Sequence, residues 1–271
     1  SRGLGDVYKR QARGAGGRAA RRLPAGAPGR AGTGRSGDRQ CPVPGQSADR
    51  ARARRQPVVL LGTGVAGAGT FPTTTLAFDT SYNGVGDAYV VKLDSDGANL
   101  DYATFLGGSS TDYGYSIAVD EAGSAYVTGI TYSSGFPVTP GAFDTIHNGG
   151  VDAFVVRLNA AGSDLEYATF LGGSGSDYSN AIAVDETGSS YMTGFTQSSD
   201  FPSTPGALDA SHNGGSDAFV AILSADGTDL DYATFLGGSD GDGGGGIVLD
   251  GIGSVYMACL LYTSPSPRDR T

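Results

Sequence analysis

Carboxylates are the only abundant functional groups in the central part of this chain. Residues 57–257 contain 24 aspartates and glutamates but only two basic side chains, Lys92 and Arg157, so their net charge is −22. Many acids therefore lack a basic partner, and bound divalent cations would relieve their mutual repulsion. Two short acidic loops resemble the oxygen-rich loops that hold Ca²⁺, although neither has the remaining spacing of an EF-hand. Calcium binding, or simple turn capping as the alternative, is the hypothesis for Asp94, Asp96, Asp240 and Asp242.

Residues that could act in catalysis are scarce. The only two histidines, His147 and His212, lie 65 residues apart and each precedes Asn-Gly, which favours a role in loop packing. The two cysteines, Cys41 and Cys259, fall in the end segments, and the sequence contains neither a nucleophile elbow nor a zinc-protease motif. We therefore predict a protein that is not an enzyme and needs no cofactor.

The two ends of the chain differ from its body. Residues 1–56 contain 14 Lys/Arg and three acids, and they consist largely of Arg, Gly, Ala and Pro without apolar periodicity. The opening GLGDVYKRQ and the closing LLYTSPSPRDRT resemble translated sequencing adapters. We expect residues 1–56 and 258–271 not to be native protein; the alternative for the first segment is a disordered basic leader. No run of 18 apolar residues occurs, so we predict no membrane span.

The body repeats itself every 65 residues. Nearly the same nine letters, (D/E)YATFLGGS, begin at Asp101, Glu166 and Asp231. A fixed period of this kind is the signature of a repeat architecture. The body divides into a partial unit 57–114, the units 115–179 and 180–244, and a partial unit 245–257.

Each unit contains four short runs that are typical of strands. The runs are rich in Val, Ile, Tyr, Phe and Thr and are bounded by Gly, Asn, Asp or Ser. Two hairpins joined by a longer loop make a four-stranded antiparallel sheet, which is a propeller blade. We predict an all-β fold: a β-propeller fragment of a little over three blades, forming an open arc. A β-sandwich is the alternative. The strands predicted for unit 115–179 are Ser116–Asp120, Ala125–Thr131, Ala153–Leu158 and Leu165–Leu171.

The body also resembles a known family. The string AIAVDETGSSYMTGFTQSSDFPSTPGALDASHNGGSDAFVAILSADGTDLDYATFLGG is similar to the bacterial SBBP repeat, named for seven-bladed β-propellers. The resemblance covers roughly residues 57–257. It implies a secreted or cell-surface location, often as a module of a larger protein.

One face of such a fold is the predicted binding surface. In an up-and-down blade, the loops between the second and third strands share a face with the blade-to-blade crossings, and long loops on a rigid scaffold accumulate binding residues. We predict a binding or scaffold module that contacts protein or glycan at the cell surface, but not nucleic acid, because the acidic body repels phosphate. Three alternatives stay open: a propeller hydrolase or lyase whose active site lies in other blades, a calcium-stabilised adhesin spacer, and loops that merely fold back on the blade rim. The candidate binding residues are Asp112, Tyr113, Phe136, Asp144, His147, Asn148, Asp177, Tyr178, Phe201, Asp209, His212 and Asn213.

Overall fold

The computed structural model describes Ala66 and residues 71–261, and this part of the chain is all β. The described residues form no helix, and they therefore include no helix that is long and apolar enough to cross a membrane. The predicted leader, residues 1–56, lies outside the described residues, as does most of the predicted tail.

Twelve strands form four antiparallel sheets, which together amount to three blades. A two-stranded sheet contains β1 (Ala88–Leu93) and β2 (Leu100–Leu106). The first complete blade contains β3 (Asp112–Val119), β4 (Ala125–Thr131), β5 (Asp152–Leu158) and β6 (Leu165–Leu171). The second complete blade contains β7 (Asp177–Val184), β8 (Ser190–Thr196), β9 (Asp217–Leu223) and β10 (Leu230–Leu236). The last sheet contains β11 (Gly243–Leu249) and β12 (Val255–Leu260).

The predicted strands and their order in the sheet are confirmed, with differences at four boundaries. β3 ends at Val119 rather than Asp120, and β5 begins at Asp152 rather than Ala153. β3 begins at Asp112 rather than Ser116, because Asp112 and Tyr113 already pair with the end of β4. β12 pairs with β11 through Leu260, so the sheet includes residues 258–260, which the sequence assigned to the tail. Cys259 lies in this strand and is exposed.

The core lies between sheets. Side chains alternate between the two faces of a strand, so Tyr167 and Phe170 of β6 enter different clusters. Tyr167 packs in the cluster that joins the two complete blades, and Phe170 packs in the cluster that joins the first complete blade to β1 and β2. The first complete blade is therefore buried on both faces.

The first strands of successive sheets also contact each other. β3 packs against β7, and β7 packs against β11. The Ile182 backbone N–H donates to the Ser116 hydroxyl at 3.3 Å, and the Asn180 amide donates to the Gly244 carbonyl at 2.8 Å. Each first strand carries a bulge at the same repeat position, between Gly114 and Ser116 in β3. Side chains at this bulge consequently lie where neighbouring sheets meet.

The connections separate into two faces. The short-turn face carries the hairpin turns, such as Asp120–Ser124, where the Asp120 carboxylate accepts the Ser124 N–H at 2.9 Å and Gly123 has a φ of 89°. The long-loop face carries the loops 132–151 and 197–216 together with the crossings 107–111, 172–176 and 237–242. This division is the one predicted from blade topology.

Candidate binding surface

Loops and crossings on the long-loop face are tied together by side-chain hydroxyls. The Ser133 hydroxyl, at the start of one long loop, accepts the Ser110 N–H of a crossing at 2.8 Å. Ser198 does the same for Gly175 at 2.8 Å. Because both copies use the same contact, the position of each long loop relative to the neighbouring crossing is a property of the repeat.

Buried aspartates organise this face. Asp112 is fully buried and accepts the Gly108 N–H at 2.8 Å, the Ser133 hydroxyl at 2.9 Å and the Thr131 hydroxyl. Burial raises the pKa of Asp112, and these hydrogen bonds together with His147 oppose the rise. The candidate binding residue Asp112 is thus enclosed within the protein, where it holds loop and crossing rather than facing a partner.

Asp177 repeats this arrangement in the second complete blade. It is fully buried and accepts the Gly173 N–H and the Ser198 hydroxyl, both at 2.8 Å, together with the Thr196 hydroxyl. Burial again raises its pKa. Asp177 is therefore also a group that positions the loops.

A second set of aspartates closes the far end of each long loop. Asp152 is fully buried and accepts the N–H groups of Asn148 and Gly149 at 2.7 and 3.1 Å. Burial raises its pKa, while the Asn148 N–H lowers it. Asp217 accepts the Asn213 N–H at 2.8 Å in the same way. These bonds fix the Asn-Gly turn before the third strand.

The polar candidates within the long loops bond mainly to one another. The Asn148 amide donates to the Asp144 carboxylate at 2.8 Å, and the Asn213 amide donates to Asp209 at the same distance. The other Asp144 oxygen accepts the Ile146 N–H at 2.9 Å. These four residues brace the loops from within, and Asn148 still exposes part of its surface.

Both histidines pack against aromatic rings. His147 meets Phe170 edge-on with ring centroids 5.6 Å apart, and its Nε2 lies 3.3 Å from the Thr131 carbonyl oxygen. His212 meets Phe235 edge-on at 6.1 Å. Both are half-buried. These contacts agree with the packing role expected from their repetition.

The phenylalanines that precede proline are core residues. Phe136 is 3% exposed and stacks on Phe154 with centroids 4.5 Å apart. Phe201 is also 3% exposed and packs on Phe219 at 4.6 Å. This part of each loop folds back on its blade, which was the alternative to a binding role. Neither ring is accessible to a partner.

The four candidate calcium ligands do not converge. The Asp94 carboxylate accepts the N–H groups of Asp96 and Ala98 at 3.2 and 2.9 Å and the Asn99 amide at 2.6 Å, which makes it a turn cap between β1 and β2. Asp240 and Asp242 lie in another loop, and Asp242 accepts the Gly238 N–H at 2.6 Å. Within the described residues, no three His, Cys, Asp or Glu side chains are grouped to hold a metal.

One group of partly exposed aromatic rings stands out on the long-loop face. Tyr113 and Tyr115 stack with centroids 6.1 Å apart, and Tyr178 stacks on Phe195 at 4.4 Å. Burial, followed by the influence of Tyr132, raises the pKa of the Tyr178 hydroxyl. Tyr115 and Tyr132 are 39% and 43% exposed. We call Tyr113, Tyr115, Tyr132, Tyr178 and Phe195 the tyrosine cluster.

Sequence reasoning found only two members of this cluster, Tyr113 and Tyr178. Tyr115 is the bulge residue of β3, and its equivalents 65 and 130 residues later are Asn180 and Gly245. Tyr132 directly follows β4, and its equivalent is Gln197. Tyr115 and Tyr132 could have been found as residues that differ between copies of the repeat. The residues that are the same in each copy proved instead to be mostly buried.

The comparison with protein families agrees with this architecture. A family model described as the SBBP beta-propeller repeat matches residues 101–137 and 166–202. The chain thus contains SBBP beta-propeller repeats. Each SBBP match starts in the last strand of one blade and runs through the first two strands of the next, so it spans a blade junction. All five residues of the tyrosine cluster lie within these two matches. No curated protein matches this chain.

Proposed function

We propose that this chain is a non-catalytic binding or scaffold module of a secreted or cell-surface bacterial protein. It contacts protein or glycan through its long-loop face. The observation that carries the proposal is the tyrosine cluster, in which Tyr115 and Tyr132 expose about two fifths of their surface. Tyrosine is favoured at interfaces because a large apolar ring ends in a hydroxyl that can form hydrogen bonds.

Rigidity beneath the cluster supports the proposal. Asp112 and Asp177 directly precede Tyr113 and Tyr178, and their carboxylates are held by backbone N–H groups and hydroxyls. Side chains that are fixed before binding lose less conformational entropy when a partner docks. The rings therefore stand on a framework that needs no rearrangement to receive a partner.

The non-catalytic part of the proposal is supported by the surroundings of the histidines. His147 and His212 pack on phenylalanine rings in equivalent positions of successive blades. An acid–base catalyst must reach the proton that it transfers, whereas these rings occupy structural positions set by the repeat.

Binding of the labelled full chain to bacterial cells and cell-wall material tests the proposal. Replacing Tyr115 and Tyr132 together by alanine should weaken binding tenfold or more, at about 1.4 kcal/mol per factor of ten. The matched control replaces the exposed acids Glu121 and Glu186 on the short-turn face by alanine and should leave binding unchanged. Absence of binding by the unaltered chain, or equal losses in both variants, would overturn the proposal.

A further inference from the structure

We infer that the tyrosine cluster binds alkylammonium groups, and specifically lysine side chains of a basic protein partner. This inference rests on the proposed function and narrows its partner class. The aromatic rings offer surfaces on which a cation can rest. The negative charge of the protein favours a ligand of positive charge.

Two pairs of stacked rings offer aromatic surface to a cation, Tyr113 with Tyr115 and Tyr178 with Phe195. The Tyr132 backbone N–H donates to the Thr111 carbonyl at 3.0 Å, directly before β3, and β3 packs against β7, so Tyr113, Tyr115, Tyr132 and Tyr178 lie on adjoining segments. A cation is attracted to the face of an aromatic ring within about 6 Å of the ring centroid, and several rings act together. The exposure of Tyr115 and Tyr132 leaves this region open to a side chain that projects from a partner.

Charge selects a cationic ligand over a neutral or an anionic one. Residues 71–261 contain 24 acids and two bases, a net of −22. Both bases are engaged toward the short-turn face: Arg157 pairs with Asp120 at 3.1 Å and Glu166 at 2.6 Å, and the Lys92 ammonium donates to the Ala160 carbonyl at 3.1 Å. Among the described residues, no basic side chain thus remains for the long-loop face to offset its negative potential.

The chain already uses this interaction elsewhere. The Arg157 guanidinium carbon lies 5.0 Å from the centroid of the Tyr126 ring, and the Lys92 ammonium lies 5.9 Å from the Tyr102 ring. Lys92 and Arg157 occupy equivalent positions in successive sheets, whereas Tyr102 lies on a fourth strand and Tyr126 on a second strand. A tyrosine ring that lies beside an ammonium or guanidinium group therefore occurs twice among the described residues.

The spread of negative charge favours a protein over a small amine as the source of the cation. A single small cation neutralises one charge, whereas a basic protein surface can complement many carboxylates at once, which accelerates association and fixes orientation. An open cluster also suits a side chain that arrives from a flat surface. A glycan would gain from the rings but not from the charge.

The test measures binding of dye-labelled hexalysine to the full chain by fluorescence anisotropy. The matched ligand is hexalysine acetylated on every side-chain nitrogen, which removes the charge and keeps the length. We expect the unaltered chain to bind hexalysine at least tenfold more tightly than the acetylated form. Replacing Tyr115 and Tyr132 by leucine should weaken hexalysine binding about tenfold, while replacing both by phenylalanine should change it less than about threefold because the rings remain.

The control variant is Tyr256→Leu, which removes a single tyrosine, 58% exposed, on β12 and should bind hexalysine like the unaltered chain. Equal binding of hexalysine by the leucine double variant and the unaltered chain would overturn the inference, because charge alone would then explain the affinity. If that variant still loses binding to cell-wall material, the proposed function stands and the partner is a glycan. Binding of choline without binding of hexalysine would also contradict the inference that the partner is a basic protein.

Discussion

The two complete blades share their buried polar groups and differ in the exposed residues beside them. Asp112, Thr131 and Ser133 in β3, β4 and the following loop have the equivalents Asp177, Thr196 and Ser198, with the same hydrogen bonds. The bulge residue, however, is Tyr115 in the first blade and Asn180 in the second. Asn180 bonds to the Gly244 carbonyl of the next sheet, whereas Tyr115 remains partly exposed.

This difference separates two kinds of position in a repeat. Residues that satisfy buried backbone groups are needed in every copy, since an unpaired buried donor destabilises any blade by the same mechanism. Residues at the bulge and after the second strand carry no such requirement. They can change from copy to copy, and the partly exposed tyrosines occur where they have changed.

The largest expected effect comes from breaking a shared position. Asp177→Ala removes a carboxylate that accepts three hydrogen bonds, and leaves the Gly173 N–H and the two hydroxyls without that acceptor. We expect a loss of about 3 kcal/mol in the free energy of unfolding, measured by urea denaturation. Asp177→Asn keeps an acceptor oxygen and similar volume and should cost less than half as much. Equal losses in both variants would show that similar volume and one acceptor oxygen are not enough, and a loss below about 1 kcal/mol in Asp177→Ala would contradict the role of these hydrogen bonds.

A smaller effect is expected when alanine replaces either of two equivalent glycines in the turns before the fourth strands, and the loss of stability should differ between them. Gly97 and Gly162 both have a positive φ, 69° and 68°, so alanine at either position should cost about 1 kcal/mol. A Cβ on Gly97 meets open space, but one on Gly162 would overlap the Tyr102 ring of the neighbouring sheet. We expect Gly162→Ala to cost about 2 kcal/mol more than Gly97→Ala in urea denaturation. Equal costs would contradict the packing of Tyr102 over this turn.

Two sets of aspartates should respond oppositely to acid. Burial raises the pKa of Asp87, Asp112, Asp152, Asp177 and Asp217 on the long-loop face above 3.8. The folded state therefore binds protons at these carboxyl groups more tightly than the unfolded state does. The free energy of unfolding should consequently increase as the pH falls from neutral toward 3.8. On the short-turn face, the Asn99 amide lowers the pKa of Asp94 and the Ser254 N–H lowers that of Asp250, so their contribution disappears below 3.8.

Melting temperature measured against pH checks this balance. We expect a maximum on the acidic side of neutrality and a steep decline below pH 3.8. In Asp177→Asn the rise between neutral pH and the maximum should be smaller, because one titrating carboxyl is absent. A melting temperature that falls steadily from neutral pH would contradict the burial of these acids.

The smallest expected effect concerns calcium. Asp94 is occupied by two backbone N–H groups and the Asn99 amide, and the Asp240–Asp242 loop lies elsewhere in the fold. We expect no change in melting temperature between excess calcium and excess chelator. Stabilisation by calcium that Asp94→Asn abolishes would restore the calcium hypothesis for that turn.

Much of the fold could be predicted from the sequence, because each strand of the repeat is indicated by residues that are consecutive in the chain. Runs such as DAFVVRL at Asp152–Leu158 and LEYATFL at Leu165–Leu171 are rich in β-branched and aromatic residues and are bounded by turn residues. The bounds of the second run were predicted correctly, and the first was predicted to start one residue late, at Ala153. The start of β3 was predicted too late, since Tyr113 and the two following residues lack the β-branched side chains that mark the rest of the strand. Pairing with β4 decides their conformation instead.

The candidate site was less accessible to sequence reasoning. Repetition drew attention to Asp112, Phe136 and His147, and these residues repeat because they are buried or packed. The bulge that brings Tyr115 next to Tyr113 depends on the pairing of β3 with β4, and the packing that adds Tyr178 and Phe195 depends on contacts between blades. No spacing along the chain encodes them.

The most direct test exchanges residues between the two blades. A variant with Tyr115→Asn and Tyr132→Gln gives the first blade the side chains that the second blade carries at Asn180 and Gln197. Urea denaturation and binding to cell-wall material are measured on the same preparation. We predict a free energy of unfolding within about 1 kcal/mol of the unaltered chain and binding weakened at least about tenfold. Retained binding in a folded variant would contradict the account, because the tyrosine cluster would then not be the binding surface.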